Sequence, residues 1–147
     1  MEPEYSISTD PARLDRELIH RFLSEESYWA KGRSREVTER AIRGSFPFGV
    51  YLGDEQVGFA RVVTDRATFA WLADVYIEAP HRGHGLGKRL VATVLDHREL
   101  QGLRRWLLGT ADAHGLYRRY GFEVVDNSSG RFMALESGAA ARQCAEG

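Results

Sequence analysis

The run Thr68–Ile77, T-F-A-W-L-A-D-V-Y-I, constrains this chain most, because Pro80, a glycine-rich loop and an amphipathic helix follow it directly. A strand apolar on both parities reads as central and covered on both faces. After the loop, Leu86, Leu90, Val91, Val94 and Leu95 recur at helical spacing to about His97. A strand–loop–helix–strand unit follows, because Gly102 precedes a further strand over Arg105–Gly109.

Around this unit the pattern is mixed. Tyr5–Ser8 reads as a short strand, and Asp10-Pro11 as a helix start running to about Leu23. Ser34 caps a second helix over Arg35–Ser45, which Pro47 ends. Phe48–Leu52, Gln56–Thr64 and Thr68–Ile77 form an antiparallel meander, with Gly53-Asp54 and Asp65–Ala67 as turns. A short helix fits Asp112–Tyr120, closed by Gly121, and Phe122–Val125 and Arg131–Leu135 are expected as late strands. The fold class is α/β with a mixed sheet, in one domain over residues 1–136; residues 137–147 read as a flexible tail.

Composition removes several function classes. Among 147 residues, 43% are apolar and 28% charged, the balance of a soluble globular chain. A formal net charge of −1 gives no ground for a nucleic-acid or membrane partner. The single cysteine, Cys144, rules out an internal disulfide framework, and the acidic start lacks the pattern of a signal peptide, so a cytoplasmic location is expected. His81 and His84 lack companion ligands at metal spacing, so no metal is expected.

The loop His81–Lys88, H-R-G-H-G-L-G-K, is the motif that carries chemistry. Unpaired N–H groups at a helix start, reinforced by the helix dipole, cradle anions, and glycine lets an anion approach the backbone. A nucleotide-hydrolase P-loop fails at two positions, where Arg82 replaces glycine and Arg89 replaces serine or threonine. The dinucleotide fingerprint fails because Lys88 stands where its third glycine belongs.

The pattern R-G-x-G-[IL]-G between such a strand and helix resembles the coenzyme A loop of the GNAT superfamily of N-acetyltransferases. Thr110–Phe122, T-A-D-A-H-G-L-Y-R-R-Y-G-F, resembles that superfamily's later motif, with Thr110 where asparagine is usual. The resemblance implies a central, mostly antiparallel sheet of about six to seven strands flanked by about four helices. It implies acetyl-CoA as cosubstrate, its pyrophosphate over Arg82, Gly83, His84, Gly85, Leu86 and Gly87, with Lys88 adding charge. The pantetheine arm would pair with the backbone of Val75, Tyr76 and Ile77, where an N–H can also polarise the thioester carbonyl.

Acetyl transfer further needs a neutral amine and a stabilised leaving thiolate. With an ammonium pKa near 10.4, only on the order of one lysine-like amine in a thousand is neutral at pH 7. Asp74, an acid inside an apolar strand, is the leading candidate to bind the ammonium and take its proton. The alternative is a structural ion pair with Arg61, and His114 is a second candidate base. Tyr117 occupies the position that the resemblance associates with protonating the thiolate, whereas Tyr120 reads as a packing residue. Ser27, Tyr28 and Trp29 are expected near the acceptor, while Phe46 and Phe69 read as core. The expected activity is acetylation of a primary amine on a small molecule. The alternatives are a protein lysine or N-terminal acetyltransferase and a non-catalytic acetyl-CoA sensor. The resemblance also allows a homodimer.

Overall fold

The structure, a computed structural model, describes residues 4–136. These residues form two compact units, one reaching Ala113 and one starting at His114. The first unit is built on a five-stranded sheet in the order β1 (Tyr5–Ser8), β2 (Phe46–Leu52), β3 (Glu55–Thr64), β4 (Phe69–Ile77) and β5 (Arg105–Leu108). The first three junctions are antiparallel, and β4 pairs with β5 in parallel. The mixed α/β class matches the expectation, with fewer strands than the resemblance implied.

The missing strands are the late ones. Neither Phe122–Val125 nor Arg131–Leu135 forms a ladder among the described residues. Instead, the Asn127 side chain accepts a hydrogen bond from the Phe132 N–H (3.0 Å) and donates one to its carbonyl (3.2 Å). This side chain takes the backbone groups that a strand pairing would have used.

Three α-helices belong to the described residues of the first unit. In the segment expected as one helix from Asp10, Asp10 caps only the short turn Pro11–Arg13, and α1 (Arg16–Arg21) starts at Asp15, whose carboxylate accepts from Leu18 N–H. The buried Gln56 of β3 fixes this restart, accepting from Asp15 N–H at 2.6 Å and donating to the Gly58 carbonyl at 3.0 Å. α1 then widens into a π-helical turn, Phe22–Glu26. α2 (Arg35–Arg43) begins where expected, with Ser34 Oγ accepting from Val37 N–H. Pro47 lies inside β2 rather than ending α2. It is tolerated because β1 ends opposite Gly49, leaving that edge of β2 without a ladder at Pro47.

Leu14, Ile19, Phe22, Leu23, Ala30 and Ile42 pack on Phe59 and Tyr76 of the sheet, and the Phe22 and Tyr76 rings stack at 3.8 Å. α3 (Leu86–Asp96) buries Leu86, Leu90, Val91 and Val94 and packs against β2 and β4. Burial at consecutive positions, expected for Thr68–Ile77, is found in β3 over Gln56–Ala60. In the first half of β4, Phe69 and Trp71 stay exposed, so Phe69 is not core, whereas Phe46 is.

Candidate active site

Two features of β4 set up the site. β5 pairs only with Phe69–Leu72, so Ala73–Ile77 have no β5 partner on that edge. Glu78 N–H bonds the Val57 carbonyl at 2.8 Å, so by strand alternation the N–H and carbonyl of Ile77 face the other, open edge. The second feature is a bulge. Arg61 pairs with Ala73 and Phe59 with Tyr76, so one residue of β3 spans two of β4. Asp74 sits in this bulge at φ +52°, a left-handed conformation that aspartate tolerates better than most residues.

Gly58 lets β4 lie close to β3 at this point, since a Cβ there would stand 2.9 Å from the Tyr76 carbonyl and 2.8 Å from Ile77 Cδ1. The open edge leads into the glycine loop, where Arg82 Nε donates to the Ile77 carbonyl at 2.9 Å and ties the loop to the strand. Gly83 and Gly85 adopt φ +85° and +73°, and Gly85 ends the loop as the N-cap of α3 with no side-chain cap. A Cβ at either glycine would meet nothing within 4 Å, so it is the backbone turn that requires glycine here. The first α3 bond is Arg89 N–H to the Gly85 carbonyl, so the N–H groups of Leu86 and Gly87 lie ahead of the helical ladder. Tyr5 of β1 lies beside the loop, its hydroxyl 3.1 Å from His81 Nδ1 and its ring 5.7 Å from that of His84.

Asp74 is buried and held by three side chains. Trp29 Nε1 donates to Oδ1 at 2.8 Å, while Arg33 (2.8 Å) and Arg61 (2.6 Å) both donate to Oδ2. Burial alone would raise its pKa, but the charges and hydrogen bonds of Arg61 and Arg33 together hold it below the usual carboxylate range. The ion pair with Arg61 that the sequence offered as an alternative is therefore present, joined by Arg33, which sequence reading did not single out. Arg33 sits in the irregular segment between the π turn and α2, where no periodicity marks a side chain. Its position follows from two backbone bonds, Gly32 N–H to the Ser24 carbonyl and Arg33 N–H to the Ala30 carbonyl.

Of the other acceptor-side residues, Tyr28 and Trp29 are exposed, and the Tyr28 hydroxyl accepts from Ala111 N–H at 2.8 Å, three residues beyond the end of β5. The segment from Tyr28 to Arg33 thus runs from the chain after β5 to the bulge of β4, across the fork between the two strands. Ser27 is not available to a ligand. Its hydroxyl donates to the Leu23 carbonyl, accepts from Ala30 N–H and is buried.

Just past β4, burial and the neighbouring Glu26 push the Glu78 carboxyl up, and its Oε1 has no hydrogen-bond partner among the described residues. The Tyr76 hydroxyl is likewise buried and unpartnered, and burial raises its pKa too. A groove of about 580 Å³ lined by Arg16, Ile42, Arg43, Phe46 and Arg66 contains none of the expected site residues. In the second unit, Tyr117 and His114 lie on α4 (His114–Arg118), with the Tyr117 ring edge-on to Phe122 at 5.8 Å. No cluster of three metal-ligating side chains occurs among the described residues, and no helix there is long and apolar enough to cross a membrane.

Comparison with known proteins decides the family. The model of the acetyltransferase (GNAT) family matches residues 16–122, a span that includes the bulged strand, the glycine loop and α4. The chain belongs to the GNAT family. A candidate GNAT acetyltransferase from Xanthomonas campestris is 45% identical, with a TM-score of 0.87 over 94% of this chain and 97% of its own. A candidate acetyltransferase from Gibberella zeae is 31% identical over 95% of this chain and 92% of its own. A GNAT acetyltransferase from Elizabethkingia anophelis, solved with acetyl-CoA bound, shares the fold at 13% identity, with a TM-score of 0.63 over 94% of this chain and 92% of its own.

Proposed function

We propose that this GNAT protein transfers the acetyl group of acetyl-CoA to a primary amine of a small molecule, by direct attack with both substrates bound. The observation that carries this reading is a run of backbone that has no strand or helix ladder on one side. It begins at the open edge of β4, turns through Gly83 and Gly85, and ends at the uncapped start of α3. An elongated ligand with an amide-containing arm and a pyrophosphate suits such a run, the arm pairing like a strand and the pyrophosphate taking the helix N–H groups. The acetyl-CoA-bound relative of the same fold supports this assignment of ligand.

In this reading, the backbone of Val75–Ile77 receives the pantetheine arm, and Arg82–Gly87 with Lys88 receive the pyrophosphate. An N–H on the open edge polarises the thioester carbonyl. The neutral amine nitrogen bonds to the carbonyl carbon and sheds a proton to solvent, the carbon–sulfur bond breaks, and Tyr117 protonates the leaving thiolate and regains a proton from solvent, a role that rests on its place in the motif. Tyr28, Trp29 and Asp74 line the acceptor side. Asp74, kept ionised by two guanidiniums, is a weak proton acceptor, so its role is to fix Trp29 and Arg33 at the fork while the ammonium proton passes to solvent.

The test is calorimetric titration with acetyl-CoA. Wild-type protein should bind it, and Gly85→Trp, which fills the open space before α3 and strains a left-handed position, should abolish binding. Undiminished affinity in the folded variant overturns the loop assignment.

A further inference from the structure

The side chains around Asp74 do not balance in charge. Two guanidiniums share one carboxylate, giving the cluster a net charge of +1, and it is largely enclosed: the Arg33 and Arg61 side chains are 19% and 14% exposed, and Asp74 is 2% exposed. An uncompensated charge held this far from water seeks a counter-charge. The two arginines are not equivalent. Arg61 uses Nε on Asp74 and NH1 on the Ser45 hydroxyl, so its side chain is committed within the fold. Arg33 commits only NH1, to Asp74, among the described residues, which leaves the rest of its planar fork of donors unused.

Arg33 also stands where an acceptor must come. It belongs to the segment anchored at one end by Tyr28 to Ala111, beyond β5, and at the other by Trp29 and Arg33 to the bulge of β4. That segment crosses the fork whose open β4 edge receives the acyl donor in the reading above, and it carries two exposed aromatics, Tyr28 and Trp29. A site of this charge disfavours a simple alkylammonium and attracts a molecule carrying an anion alongside its amine.

We propose that the acceptor is an amine bearing an oxyanion, a carboxylate or a phosphate, which the free edge of Arg33 engages while Asp74 and Arg61 hold Arg33 in place. This rests on the acetyltransferase reading and narrows its substrate class. A carboxylate or phosphate meets the guanidinium fork in a paired geometry that an uncharged group cannot reproduce.

The experiment compares three matched series of equal chain length: ω-amino acids, ω-aminoalkyl phosphates and plain alkylamines, each with acetyl-CoA, following release of the coenzyme A thiol. One or both anionic series should exceed the alkylamines in kcat/KM by about tenfold or more, and the better of the two identifies which oxyanion is recognised. In Arg33→Gln that preference should collapse, mainly through KM, with acetyl-CoA affinity by calorimetry preserved, and Arg33→Lys should restore part of it. Propionate or inorganic phosphate should inhibit the wild type competitively against the amine, a readout that needs no variant. Equal turnover of all three series, or a preference untouched in Arg33→Gln, overturns the oxyanion assignment alone. No thiol release with any series overturns the acetyltransferase reading and this inference with it.

Discussion

Replacing Asp74 by asparagine keeps the shape of the side chain, can retain the bond from Trp29, and tolerates φ +52° as well as aspartate does. What it removes is the only carboxylate paired with Arg33 and Arg61 among the described residues. Breaking a buried ion pair from one side costs about 3–5 kcal/mol, because the partner is left charged and unpaired. Both guanidiniums keep some solvent contact, so the low end, about 3 kcal/mol, is expected here. For a chain of this length that corresponds to a fall in Tm of about 6–12 °C.

The acid dependence has a definite sign. Asp74 titrates lower in the folded protein than in the unfolded chain, so its stabilisation is complete above the unfolded value near 3.9 and is lost as pH falls through the folded value. Urea denaturation followed by circular dichroism at pH 7 should therefore separate wild type from Asp74→Asn by about 3 kcal/mol, and the two should converge in strong acid. A difference under about 0.5 kcal/mol at pH 7, or a gap that widens in acid, would refute the view of Asp74 as the charge that organises this knot.

Other residues give sharper local tests. Gly58→Val places a side chain against the Tyr76 carbonyl and Ile77, and should cost about 1–3 kcal/mol in urea denaturation and weaken acetyl-CoA binding by displacing the open edge. Gln56→Leu strips partners from Asp15 N–H and the Gly58 carbonyl together, with an expected loss of about 1–3 kcal/mol by the same assay. Tyr117→Phe should lower kcat by roughly 10²-fold with little change in acetyl-CoA affinity; full turnover would remove Tyr117 from the chemistry.

What the sequence discloses depends on whether the cause is local. The Ser34 cap, the strand at Tyr5–Ser8 and the turn glycines of the His81–Lys88 loop are set by adjacent residues, and they appear where the pattern places them. The restart of α1 at Asp15 is not local, because it needs Gln56, forty-one residues on. Pro47 is a strong local stop signal overridden by register, since β1 ends before reaching it. The late segments looked like strands by their apolar content, but a single asparagine side chain closes that loop instead.

The site divides in the same way. Asp74 stood out as an acid in an apolar strand, and Arg61 could be paired with it because neighbouring strands bring such positions together. Arg33 could not, because an irregular segment carries no periodicity that says where its side chains go. The bulge that turns Asp74 toward Trp29 and Arg33 is equally silent in sequence, being a mismatch of register between two strands.

The most direct test of the central claim is amine-dependent turnover of acetyl-CoA by the purified protein, with thiol release and the acylated product followed together by mass spectrometry. The account predicts that thiol appears only when a primary amine is present and that the product is its N-acetyl derivative, formed in equal amount. Binding of acetyl-CoA with no transfer to any amine, or thiol release independent of amine, would contradict it.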